Sequence, residues 1–275
     1  MSSKFKTGLI NLAPILVSLL FGVFCAFIIL TSPLEIYGIT PFPEGTVGSF
    51  GNAFYFVILV GVGASILYLL LKWKNLRLIA WITGFALTTA VFMLSIIYIF
   101  AAFSRFAIPS MEVLTLTLSL FITALADYAI FRKHSKICDL VVLFLGGALG
   151  TFLGFSIPSL SAILILGFLA VYDIFAVYHG PVGKIARSGL DQLRGLSFSF
   201  KNIQMGLGDL TFYSMLSGSM LVNPDFGYIS CLASIIGILF GCLLAFKMLE
   251  RKGMFPGLPF PVLFGLTAGL LVSLI

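Results

Sequence analysis

Long apolar stretches, interrupted at intervals by small clusters of charge, dominate the chain. Runs of about 18 or more residues without charge fall near 7–31, 51–71, 78–103, 140–157, 228–246 and 254–275, and another run from 159 continues through Asp173 to 180. Two further spans, about 113–131 and 205–222, qualify if one aspartate in each is tolerated. Each is long enough, as a helix, for a hydrocarbon core of about 30 Å, where only a helix or a closed barrel satisfies the backbone's polar groups. The pattern therefore predicts an all-α polytopic membrane protein with nine transmembrane helices.

Composition removes the competing classes. Hydrophobic residues make up 60% of the 275, charged residues only 9%, and the mean hydropathy is +1.16, which excludes an ordinary water-soluble domain. With no 20–50-residue repeat and no soluble appendage, residues 1–275 read as a single membrane domain. The first helix lacks a small-residue cleavage site and is expected to be retained.

Lys and Arg in short loops mark the cytoplasmic side. On alternate loops lie Lys4 and Lys6; Lys72, Lys74 and Arg77; Arg132, Lys133 and Lys136; Lys184, Arg187, Arg194 and Lys201; and Lys247, Arg251 and Lys252. The opposite face holds only Arg105, with Glu35, Glu44, Glu112 and Asp225. This predicts a cytoplasmic amino terminus and an external carboxyl terminus. The net charge of +6 is then a topology signal and implies no nucleic acid. The cytoplasmic segment of about 180–204 is expected to be a solvated loop, although 184–194 mixes Ile185, Leu190 and Leu193 with basic residues in a way that suits an anionic leaflet.

Against this background two carboxylates stand out, Asp173 in LGFLAVYDIFAVY and Asp209 in MGLGDLTFYSML. A carboxylate at membrane depth costs at least about 2.5–3.5 kcal/mol on insertion scales and marks function by default. Asp173 precedes Lys184 by 11 residues on a helix running inward, and Asp209 follows Lys201 by eight on a helix running outward. At 1.5 Å per residue the offsets differ by about 4–5 Å, so both carboxylates sit at one level on adjacent helices. Two carboxylates side by side in low dielectric cannot both ionise easily and share a proton. That is the aspartic-protease arrangement: the charged member takes a proton from water while the protonated member hydrogen-bonds the scissile carbonyl. Gly206 and Gly208, flanking Leu207, allow close backbone approach and place Asp209 in the first turn of its helix, where the dipole favours an anion.

Other chemistries lack their parts. His134 and His179 lie at helix ends, so there is no H-E-x-x-H for a metal and no mid-membrane Ser–His pair. Cys25, Cys138, Cys231 and Cys242 read as small apolar fillers. Asp127 is expected to reach the cytoplasmic interface or its basic cluster, and Asp139 to be a terminal charge. The alternative class is an ion-coupled transporter or cation leak channel, which also uses intramembrane carboxylates on broken helices. Such folds repeat the feature in both halves, and the first half carries no counterpart.

VYDIFAVY and GLGDLTFYSML resemble the two active-site motifs of the presenilin and signal peptide peptidase family of GxGD intramembrane aspartyl proteases. Pro256, Gly257, Leu258 and Pro259, opening the last span, resemble that family's Pro-Ala-Leu motif with Gly for Ala. The resemblance covers all nine helices in number and order. It implies catalytic Asp173 and Asp209, Tyr172 shaping the site, and a substrate-facing segment at 256–259 beside Gly206, Leu207 and Gly208. It also implies transmembrane helical substrates, no cofactor or metal, and a chain close to microbial, archaeal homologues of the cell membrane that act without accessory subunits. The orientation and the Phe212-Tyr213-Ser214 run favour the presenilin branch. The connection of about 25 residues between the catalytic helices is too short for the cut loop of animal presenilins.

Overall fold

A computed structural model of the protein describes residues 8–34, 38–43, 45–73, 75–106, 109–131, 135–180, 195–200, 203–223 and 226–274. The amphipathic segment 184–194 lies outside them, as do Lys4, Lys6, Lys74, Arg132, Lys133, His134 and Lys201.

Nine α-helices occur among the described residues: α1 (Ala13–Leu30), α2 (Thr46–Lys72), α3 (Leu76–Phe103), α4 (Met111–Phe131), α5 (Ser135–Ser156), α6 (Ser159–Tyr178), α7 (Leu207–Val222), α8 (Gly227–Lys252) and α9 (Pro259–Ser273). Seven of them, α1 to α6 and α8, are long and apolar enough to cross a membrane. The other two are shorter for a visible reason. At 1.5 Å per residue, the 16 residues of α7 reach about 24 Å and the 15 of α9 about 22 Å, because each follows a non-helical approach. The expected last span of 254–275 thus becomes a helix only at Pro259, where a proline's missing N–H costs nothing at the first turn.

The approach to α7 differs from the solvated loop expected there. Two short strands, β1 (Ser197–Phe200) and β2 (Ile203–Gly206), pair antiparallel there, with Phe198 opposite Met205. Phe198, Ile203 and Met205 are buried, so the strand alternation turns an apolar face inward. Asp139, in the first turns of α5, accepts a 3.1 Å hydrogen bond from the Ser199 amide and ties β1 to that helix, a structural use beyond the terminal charge expected of it. Asp127 accepts from the Thr88 hydroxyl of α3 at 2.9 Å, so it pairs across helices within the bundle.

The core surrounds α7. Every residue from 210 to 221 except Phe212 is buried, as expected of a helix apolar on all sides and enclosed by neighbours. It packs on α1, α5, α6, α8 and α9. Contact with α5 depends on small residues: a Cβ at Gly154 would stand 2.8 Å from the Met215 carbonyl. At the other end of α6, Asn52 of α2 donates to Ser161 at 3.1 Å and Ser161 donates to Ser49 at 3.0 Å, joining α2 to α6 through a buried polar chain. These contacts hold α6 and α7 as neighbours, and the two aspartates come with them.

Candidate active site

Asp173 lies near the C-terminal end of α6, and its Oδ2 accepts a 2.9 Å hydrogen bond from the Leu258 amide. The Gly257 amide donates to the same carboxylate. Asp209 sits in the first turn of α7 and accepts from the Gly206 amide just before the helix, where the dipole's positive end faces the anion. The two carboxylates are electrostatic neighbours and open on one cavity of about 330 Å³. A volume of that size admits on the order of ten waters, or a short length of peptide with fewer.

Residues outside any helix form part of the cavity wall. Gly253, left-handed at φ 75°, ends α8, and the chain stays non-helical until Pro259 starts α9. Met254, Phe255, Pro256 and Gly257 line one side, β2 lines another, and Cys242, Ala245, Phe246 and Leu249 of α8 complete it. Irregular backbone at membrane depth is tolerated where it lines a cavity. Gly257 touches Asp209 directly: a Cβ there would stand 2.8 Å from Oδ2 and 3.0 Å from Cγ. The absent methyl is what allows this backbone and that carboxyl to meet.

Of the residues singled out in the sequence, Asp173, Asp209, Gly206, Gly208, Pro256 and Gly257 come together at the cavity. Four do not line it. Tyr172 turns toward α2, its hydroxyl 3.4 Å from where a Gly61 Cβ would lie. The Leu207 side chain packs toward α5 at Gly146, Leu258 is 5% exposed and belongs to the core, and Pro259 is taken up in the first turn of α9. Leu258 contributes its amide to the site, and its side chain points elsewhere.

Two residues were missed. The Tyr213 hydroxyl donates to the Gly257 carbonyl at 2.8 Å, and Cys242 hydrogen-bonds the same phenol. A phenol has one proton, already directed at Gly257, so the thiol is the donor. Tyr213 follows Asp209 by four residues, the spacing that places side chains on one helix face, and this signal was available in the sequence. Cys242 gave no such signal, since it is one of four buried thiols and the others stand away from the cavity. His179 stacks on Phe175 at 6.0 Å, outside the cavity. No cluster of three or more His, Cys, Asp or Glu side chains suited to a metal occurs among the described residues.

No family model matches the sequence. Solved structures do match. A presenilin family intramembrane aspartate protease in space group C222 aligns with a TM-score of 0.69 at 19% identity, over 97% of this chain and 99% of that one. A structure of such a protease in space group P2 aligns with a TM-score of 0.66 at 19% identity, over 95% of each chain. The chain is thus a multi-pass membrane protein with the fold of a presenilin-family intramembrane aspartate protease.

Proposed function

We propose that the protein is an intramembrane aspartyl endopeptidase of the presenilin family, hydrolysing peptide bonds of transmembrane substrates. The observation that carries this reading is the convergence of Asp173 and Asp209, from consecutive helices, on one cavity walled partly by non-helical backbone. With one proton between them, the ionised carboxylate takes a proton from water as its oxygen attacks the scissile carbonyl carbon. The protonated carboxyl hydrogen-bonds the carbonyl oxygen and stabilises the charge that develops there. When the tetrahedral intermediate collapses, the C–N bond breaks and a carboxyl proton passes to the leaving amine. The substrate must unwind to present that bond, and β2 together with the non-helical stretch Met254–Phe255 offers backbone suited to pairing with an extended segment.

The orientation belongs to the same proposal: amino terminus cytoplasmic, carboxyl terminus outside, in the cell membrane of a microbe, archaeal by resemblance, with no accessory subunit required. The test is cleavage of one transmembrane peptide by the purified, reconstituted protein, read by mass spectrometry. Wild type should cut, while Asp173→Asn and Asp209→Asn should each lose at least about a thousandfold in turnover, with the double variant losing little more because the pair acts as a unit. Near-normal cleavage by either folded single variant would end the reading. Cation flux without cleavage in the wild type would hand the chain to the transporter class.

A further inference from the structure

We propose that Tyr213 is a positioning residue of the site, a clamp that fixes the register of the 256–258 backbone against both aspartates. The inference deepens the protease reading and rests on it. Its basis is the convergence of four interactions on two consecutive peptide units. The Gly257 carbonyl receives the Tyr213 hydroxyl at 2.8 Å, the Gly257 and Leu258 amides face Asp173, with the Leu258 contact at 2.9 Å, and the Gly257 Cα lies against Asp209. The segment has no helix or strand partner of its own, because α8 has ended at Lys252 and α9 begins at Pro259. A backbone carbonyl in such a place is held only by the side chain that reaches it.

Tyr213 is built to hold it. The residue is 1% exposed, so its ring cannot swing away without opening the core. Its phenol also hydrogen-bonds Cys242 of α8. One turn of α7 separates it from Asp209, so the same rigid helix sets the carboxyl and the anchor for the backbone opposite. Rotation of the Gly257 peptide would move the amides away from Asp173 and the Cα away from Asp209 together. A tyrosine that merely filled the core would leave catalysis untouched once its hydroxyl was removed.

Tyr213→Phe keeps the ring and deletes the hydroxyl. In the reconstituted full-length protein its kcat on a transmembrane peptide should fall roughly tenfold to a hundredfold while KM stays within about twofold, the mark of misplaced catalytic groups. Amide hydrogen exchange, followed by mass spectrometry on peptides covering 254–262, should quicken in the variant at an unchanged thermal midpoint. Cys242→Ala, which leaves the phenol in place, should show the same two changes at smaller size. Wild-type kcat in Tyr213→Phe, or exchange over 254–262 identical to wild type, would overturn the clamp while leaving the aspartates' role intact. Because the exchange measurement needs no substrate, it decides the clamp even in a preparation where wild type fails to cleave, which would count against the protease reading instead.

Discussion

Two cavities among the described residues differ in what lines them, and the smaller of the two is the candidate active site. Between α1, α3, α4 and α5 lies a cavity of about 640 Å³, walled by residues such as Phe21, Leu94, Ile122, Ala126, Phe144 and Ala148. Tyr98 is among its lining residues, but that hydroxyl is already committed to the Ala148 carbonyl at 2.7 Å. The cavity of about 330 Å³ at α6, α7 and α8 has two carboxylates, a glycine-rich helix start and a non-helical segment between α8 and α9. Both are lined mainly by apolar side chains. What separates them is irregular backbone: the larger cavity is bounded by continuous helices, whose N–H and C=O groups are engaged within the helix, whereas the smaller lies where two helices begin late.

Replacing Asp173 or Asp209 by Asn should make the contrast absolute, with cleavage lost by at least about a thousandfold and expression retained, since an isosteric amide removes a buried charge without opening a void. A smaller but still large effect is expected at Gly257. Gly257→Ala places a methyl where Asp209 Oδ2 stands 2.8 Å away, so kcat should drop about tenfold to a hundredfold, as one group shifts against the other. Unchanged kcat in that variant would mean the close approach has no part in turnover.

Leu258→Ala separates backbone from side chain. The side chain lies in the core and the amide serves Asp173, so truncation should cost roughly 2–5 kcal/mol of stability, seen as a lower unfolding midpoint, while the folded fraction cleaves near the wild-type rate. A selective fall in cleavage at unchanged stability would return Leu258 to the substrate-facing role expected from the sequence. The least change is expected from Ala126→Leu in the larger cavity. Filling that space should leave cleavage within about twofold and stability within roughly 1 kcal/mol. A collapse of activity there would show the two cavities to be coupled.

Most of the helices were legible because the bilayer imposes a length: an uncharged run of about twenty residues has few other uses. The aspartates were legible for the related reason that a buried charge is too costly to keep idle. The start of α7 was also readable, since Gly206 and Gly208 ahead of Asp209 announced a helix beginning at depth. The strand pair was not, because SFSF and IQMG alternate over only four residues each, too short a period to distinguish from loop.

The apolar runs, read alone, determined the class of fold and the number of helices, and the isolated carboxylates marked the two residues proposed to carry the chemistry. Tertiary structure alone decided which way each neighbouring side chain points. In a membrane protein the lipid-facing and core-facing sides of a helix are equally apolar, so hydropathy carries no record of facing. Leu207 and Leu258 therefore looked like site residues and went to the core, while Tyr213, singled out only as part of the Phe212-Tyr213-Ser214 run, turns its hydroxyl to the Gly257 carbonyl. Only the packing of α7 against α8 and the start of α9 brings that phenol, the 256–258 backbone and both aspartates to one place.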